Sequence, residues 1–187
     1  MGSNGVESSA LIEHAHSKQI PFDIGHVVHN NRSLIEENKF GAARVRYCTD
    51  SDTNYYRLDF TKEKFDEHWN MIQHKDTACW IPGAILFAAR GAYDEVWFGC
   101  HSNDQLQDVN DIFGVFNLMM TSIGKVTRLK APLATMSKLD QYRMIPDSIK
   151  EHLVYCSRIN ADMKPCGDCG KCREFDKYVA SIGGTYE

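Results

Sequence analysis

The sequence predicts an α/β fold, a three-layer sandwich whose mostly parallel sheet lies between helices, with a small zinc-binding element at its C-terminus. Three observations carry that expectation. Helix-period and strand-period apolar patterns alternate along 187 residues, so that successive strands are joined by helices. A hydrophobic content of 43% suffices to bury one proper core. Finally, Cys156, Cys166, Cys169 and Cys172 fall at spacings that can close around a single ion.

Each element has its own signal. A first helix reads over 8–18, with Ala10, Leu11, His14 and Ala15 on one face. A short strand follows over 25–29, then a helix over 32–38 and a strand over 43–47. Phe65, Trp69 and Ile72 mark one face of a helix that Thr61 can cap. A buried helix reads over 84–92, and Glu95-Val96-Trp97-Phe98-Gly99 is the strongest strand. Val109, Ile112, Phe113, Phe116 and Met120 recur at helical spacing over 108–121. One more strand fits 126–129, and Ser137 with Asp140 forms a capping box for a helix over 137–143. Phe175, Tyr178, Val179 and Ile182 close the chain as a helix. This order divides the chain into an α/β domain over 1–150 and a cysteine element with the last helix over 151–187. Ligands of such sheets bind at the carboxyl ends of the strands.

No basic segment followed by an apolar run opens the sequence, and no stretch of 18 uncharged apolar residues occurs, so a soluble, cytoplasmic protein without membrane association is expected. Seven cysteines imply no disulfide framework, and Cys48, Cys79 and Cys100 read as reduced, buried thiols. A net charge of −4 argues against stable binding of nucleic acid.

In Cys166-Gly-Asp-Cys169-Gly-Lys-Cys172 each Cys-x-x-Cys turn lets two thiolates point at one ion, and Gly167 and Gly170 tolerate the tight backbone. Zinc, borderline soft and content with four sulfurs, is the expected occupant. An iron–sulfur cluster uses the same ligands, and reduced core cysteines or a disulfide pair are the plain alternative. With all four positions taken by sulfur, the zinc is structural. At the other end, Ser3, Asn4, Gly5, Val6, Glu7, Ser8 and Ser9 stand before the first helix. Small residues, helix-start N–H groups and hydroxyls can cradle a pyrophosphate there; a frayed tail is the bland reading.

Taken together, these residues resemble the 7-cyano-7-deazaguanine synthases of the PP-loop ATP pyrophosphatase superfamily. Ser3-Asn4-Gly5-Val6-Glu7-Ser8 resembles the signature Ser-Gly-Gly-x-Asp-Ser. Trp80-Ile81-Pro82-Gly83 is similar to the family's Val-Pro-Gly segment, and Gly99-Cys100-His101-Ser102-Asn103-Asp104 with Gln107-Asp108-Val109 to its substrate-side segment. Ala131-Pro132-Leu133 with Lys138 resembles its Thr-Pro-Leu and lysine, and the four cysteines match its zinc ligands in number and order. The chain departs from the pattern at Asn4, where the family has Gly, and at Glu7, where it has Asp. Gly83 runs straight into Ala84-Ile85 where the family has Arg-Asn, and only Met1 and Gly2 precede Ser3 where the family has a hydrophobic strand, so either the start lies upstream or the sheet lacks that strand.

The resemblance implies an adenine nucleotide alpha hydrolase-like fold of PP-loop type. It also implies a C–N bond-forming ligase that converts 7-carboxy-7-deazaguanine and ammonia to 7-cyano-7-deazaguanine, through an adenylate and an amide, in queuosine-type 7-deazapurine biosynthesis. ATP binds the loop of residues 3–9, and Mg²⁺ neutralises its phosphates. Glu7, Asp104 and Lys138 are the implied catalytic residues; Trp80, Asp104 and Asp108 meet the deazaguanine. The resemblance adds a homodimer. A PP-loop enzyme of the RNA-thiolating kind and a zinc-stabilised relative without catalysis are the alternatives.

Overall fold

A computed structural model of the protein describes residues 5–28, 31–49, 52–59, 76–104, 106–156, 158–159 and 164–181. In chain order the elements are α1 (Val6–Ser17), β1 (Ile24–Val28), α2 (Asn31–Lys39), α3 (Gly41–Cys48), β2 (Tyr55–Asp59), α4 (Asp76–Arg90), β3 (Glu95–Trp97) and α5 (Leu106–Ser122). They are followed by β4 (Arg128–Lys130), α6 (Lys138–Met144), the one-turn α7 (Asp147–Lys150) and α8 (Gly170–Ser181). The protein is mixed α/β with short parallel sheets. β1 pairs with β2, Ile24 opposite Tyr55 and Val28 opposite Asp59. β3 pairs with β4, Glu95 opposite Arg128. Parallel partners need crossovers, and α2 and α3 supply the first while α5 supplies the second.

Helices cover both faces of β1. Strand alternation sends Val27 one way and Ile24 and Val28 the other. Gly83 of α4 approaches Val27 so closely that an added Cβ would stand 2.3 Å from its Cγ2. On the opposite face Ile24 shares a core with Val6, Ala10 and Leu11 of α1. α4 also packs on β3, which α1 meets from its own side: a Cβ at Gly99 would lie 2.6 Å from the Glu7 Cβ and 3.0 Å from the Ser8 nitrogen. Gly99 therefore lets the start of α1 settle at the carboxyl end of β3.

One core cluster gathers α1, Phe40, Tyr47, Leu133, Tyr142, Ile145 and Ile149 with Phe175 and Val179 of α8, so the C-terminal helix shares the core of the N-terminal one. A second joins α4 and α5 through Ala84, Ala88, Phe98, Phe116, Met120 and Leu129, and a third is formed by Cys156, Cys169 and Cys172.

Several expectations need correction. The strand expected over 43–47 is α3: Ala43 and Tyr47, four apart, are both buried while Val45 is 65% exposed, a helical period that the β-branched and aromatic content hides. β2 has no counterpart among the expected strands. Its Tyr56 and Arg57 are exposed, and Arg57 pairs with Glu37 at 2.7 Å and Asp59 at 2.9 Å, so it lacks an apolar alternation. α4 begins at Asp76 and runs through Pro82, which sits exposed inside it. The last strand is displaced to Arg128–Lys130, leaving Val126 89% exposed. The helix expected around Phe65, Trp69 and Ile72 lies outside the described residues. Ser137 caps α6 as expected, its Oγ accepting from the Asp140 N–H.

Candidate metal centre and the charged cluster on the same helix

Cys156 ends a buried segment after Leu153 and Val154; Cys166 and Cys169 lie in the turn before α8, and Cys172 is in its first turn. Gly167 at φ +76° supplies the left-handed step in that turn. Gly170 is instead the first residue of α8. All four Sγ atoms lie within 4.8 Å of one another. The Cys156–Cys166 and Cys169–Cys172 separations are 3.5 Å, and Cys156–Cys169 and Cys166–Cys172 are 3.9 Å. A disulfide needs about 2.05 Å, so these are free thiols. A tetrahedron of sulfurs about 2.3 Å from zinc has edges of about 3.8 Å, which these separations match. The residues therefore fit a structural metal such as zinc.

Backbone donors complete the setting. The N–H groups of Arg158 and Cys166 donate to the Cys156 Sγ, both at 3.3 Å, and the Cys172 N–H donates to the Cys169 Sγ at 3.4 Å. Such bonds stabilise thiolate charge and orient the ligands, the second-shell role common to metal sites. Cys156, Cys169 and Cys172 are at most 4% exposed, so a bound ion would be shielded from water.

α8 carries more than the cysteines. Two residues after Cys172, the Glu174 carboxylate lies 3.9 Å from the Lys138 ammonium at the start of α6. Lys138 is 8% exposed and makes its short ion pair, 2.8 Å, with Glu7 in the first turn of α1. His101, just past β3, brings its Nε2 to 3.8 Å from Glu7 and 3.4 Å from Asp104. The Asn103 N–H donates to His101 Nδ1 at 3.2 Å, and the His101 N–H donates to the Asp104 carboxylate at 2.7 Å, closing the 101–104 turn. Gln141 holds α6 in place: its Nε2 donates to the Cys100 carbonyl at 2.7 Å and the Leu133 carbonyl at 3.0 Å.

The electrostatics follow from the packing. Burial pushes the Glu7 carboxyl up, but the charge and hydrogen bond of Lys138, helped by His101, outweigh it and hold Glu7 below its ordinary value. Burial works against the Lys138 ammonium as well, and Glu7 together with Glu174 raises it above the usual lysine value. Burial also pushes the Cys100 thiol up to about 11, with Asp104 and Glu7 adding to the effect. The cluster is thus a fixed carboxylate–ammonium pair at the carboxyl ends of the strands, with an imidazole within reach.

The structure brings three of the expected site residues, Glu7, Asp104 and Lys138, into one cluster. Lys138, a residue type usually solvated in a first turn, is buried there. Gly5 caps α1 without a side-chain bond, and Ser9, 3% exposed, has an Oγ with no partner among the described residues. Ser8 is buried and donates to the Gly5 carbonyl at 3.3 Å. Ser3 and Asn4 lie outside the described residues, as does the side chain of Asp108, which falls in the first turn of α5. Trp80 stands apart on α4, its ring stacked on Phe98 at 5.4 Å. His101 and Glu174 were not singled out from the sequence. Only the i, i+4 pairing of Glu174 with Tyr178, whose hydroxyl donates to it at 2.6 Å, offered a local cue.

No helix among the described residues is long and apolar enough to cross a membrane. No family model and no curated protein matches this chain.

Proposed function

We propose that the protein is an ATP-dependent C–N ligase of the 7-cyano-7-deazaguanine synthase type, built on a PP-loop fold and stabilised by a structural zinc. The observation that supports it most is the meeting of Glu7, Lys138, His101 and Asp104 at the start of α1, where α/β folds bind their ligands. A nucleotide phosphate is supported there because α1 has no side-chain cap and the buried Ser9 hydroxyl has no partner among the described residues. ATP, with Mg²⁺ on its phosphates, supplies the leaving group that a bare carboxylate lacks.

The structure places Val6, Glu7, Ser8 and Ser9 in the first turn of α1 rather than in a loop, and the N–H groups of that turn, with Gly5 before it, would hold the pyrophosphate. Lys138, kept cationic by its two carboxylates, neutralises the charge that develops as the acyl oxygen departs. Glu7 orients Lys138 through their 2.8 Å ion pair, and its carboxylate would offer an oxygen ligand to Mg²⁺. Asp104, 41% exposed at its side chain, would bind the N–H edge of the deazaguanine. The reaction takes place in the cytoplasm of the cell, with ammonia as the nitrogen donor and tight positioning as a main source of rate.

The test is a product assay by mass spectrometry with 7-carboxy-7-deazaguanine, ATP and ammonium. Conversion to the amide or nitrile, with ATP use that requires both other substrates, is expected. ATP use that the deazaguanine acid does not stimulate refutes the reading.

A further inference from the structure

A cleft of about 150 Å³ is lined by residues of α1, β1, α4 and β3. Leu11, Ile12 and Ala15 of α1 and Phe87 of α4 contribute from the two helical layers, and Ile24 of β1 and Val96 of β3 from the strands. These walls are apolar, and a cavity of about that volume holds one benzene-sized ring. Polar groups gather at one end. Asp23 stands just before β1 and Glu95 opens β3, so both carboxylates line the cleft at the amino ends of the strands. The Glu7–Lys138 pair lies instead where Glu7 meets Gly99, past the carboxyl end of β3.

The two carboxylates differ in what neutralises them. Glu95 is already matched, its Oε1 paired with the Lys130 ammonium and its Oε2 accepting from the Trp97 Nε1–H at 2.7 Å. Asp23 makes no ion pair among the described residues, and its donors are neutral. Its Oδ1 accepts from the Asn54 N–H at 2.9 Å and the Asn54 side-chain amide at 3.0 Å, and its Oδ2 accepts from the Tyr93 hydroxyl at 2.5 Å. An ionised carboxylate has about four acceptor positions, so three bonds orient Asp23 and leave one position on Oδ2. The donors are themselves held. The Asn54 carbonyl accepts from the Ile24 N–H at 2.8 Å, and the Tyr93 ring lies so close to Gly91 that an added Cβ would stand 2.0 Å from it. Asp23 is thus a fixed, half-buried anion beside an apolar cleft.

Charge and shape together select the ligand. An anion would face both carboxylates, and a neutral ring would fill the apolar part while leaving Asp23 without a counter-charge. Tyr56 and Tyr93 line the same cleft, with the Tyr56 ring 6.3 Å from that of Phe87, and aromatic faces attract cations. We propose that the cleft binds a small organic cation, an aralkylammonium compound of one ring, whose ring lies among Leu11, Ile12 and Phe87 and whose ammonium donates to the Asp23 Oδ2. The proposal does not rest on the ligase reading.

The experiment titrates the full chain with three probes of nearly one shape, phenethylammonium, the neutral 2-phenylethanol and the anionic 3-phenylpropionate, and follows backbone amide shifts by NMR. Phenethylammonium should bind at least about tenfold more tightly than either of the others, with the largest shifts at Leu11, Ile24, Gly25 and Val96. Asp23→Asn, which keeps the shape and removes the charge, should bring phenethylammonium down to the affinity of 2-phenylethanol. Equal affinity for the three probes, a preference for the anion, shifts that lie away from the cleft, or an ammonium preference that survives in Asp23→Asn overturns the proposal. The comparison of probes and the map of shifts use the unaltered protein, so they decide the matter even where the variant fails to fold.

Discussion

Lys138→Met removes the ammonium and keeps the length of the side chain. At 2.8 Å and an effective dielectric of about 20, the Lys138–Glu7 attraction is worth about 6 kcal/mol before desolvation. Removing one partner of a buried pair costs about 3–5 kcal/mol, because the remaining charge is left without compensation. Glu7 keeps a quarter of its side chain in solvent and His101 at 3.8 Å, which places the expected loss lower, at about 2–3 kcal/mol. For a chain of this size that is about 5–10 °C in Tm.

The pH dependence has a definite sign. Glu7 is held below its ordinary value, so its contribution is present above the usual carboxylate range and disappears as pH falls through the depressed folded value. Lys138 is held above its ordinary value, so its contribution is complete below the usual lysine range and disappears as pH rises through the raised folded value. The deficit of Lys138→Met relative to the unaltered protein should therefore be largest around neutrality and shrink below about pH 4. Urea unfolding at pH 7 and pH 3.5, with Glu7→Gln and the double variant completing a cycle, measures it. A deficit under about 0.5 kcal/mol at pH 7, or one that is the same at both pH values, refutes the reasoning.

Metal analysis by mass spectrometry should find one zinc per chain, and Cys169→Ser should lose it. With free zinc about a thousandfold above its dissociation constant, the ion stabilises by about 4 kcal/mol, so a chelator should lower Tm by about 8–16 °C. Gly99→Ala places a Cβ 2.8 Å from the backbone carbon of Glu7, and the overpacking should cost about 1–3 kcal/mol in thermal unfolding; an unchanged Tm would mean that α1 does not rest on β3.

The elements that could be read from the sequence are those whose burial follows a local period. α1, α5 and the cap of α6 each present an apolar face or a capping residue within a few positions, whereas β3, evenly half-buried, was legible from residue type alone. The metal ligands could be read because Cys166, Cys169 and Cys172 lie within one turn and a helix start. α3 was misread because Val45 and Tyr47 favour strand by type, whereas the pair that is buried is Ala43 and Tyr47. β2 carries its polarity outward on Arg57 and ties it to Glu37 of α2, a long-range pairing that no window of sequence contains. The charged cluster was legible only in pieces. Glu7 and Lys138 stood out singly, but their encounter depends on Gly99 admitting α1 and on Gln141 fixing α6, both tertiary facts.

α8 connects the two parts of the candidate site. It spans 12 residues, a length at which an isolated helix is marginal in water, so its order comes from what it touches. Phe175 stacks on Tyr155 at 3.6 Å and meets the edge of Tyr142 of α6 at 5.1 Å, while Val179 enters the core. Burying those two side chains contributes about 3–6 kcal/mol, against a backbone ordering cost of about 1–2 kcal/mol per residue that helical hydrogen bonds offset only in part. A metal on the four cysteines would supply the remaining anchor, tying Cys172 in the first turn and Cys169 just before it to Cys156. Because Glu174 follows Cys172 by two residues, whatever fixes that turn also fixes the second carboxylate beside Lys138. A metal held by the four cysteines would thus also bear on the charge balance of the cluster.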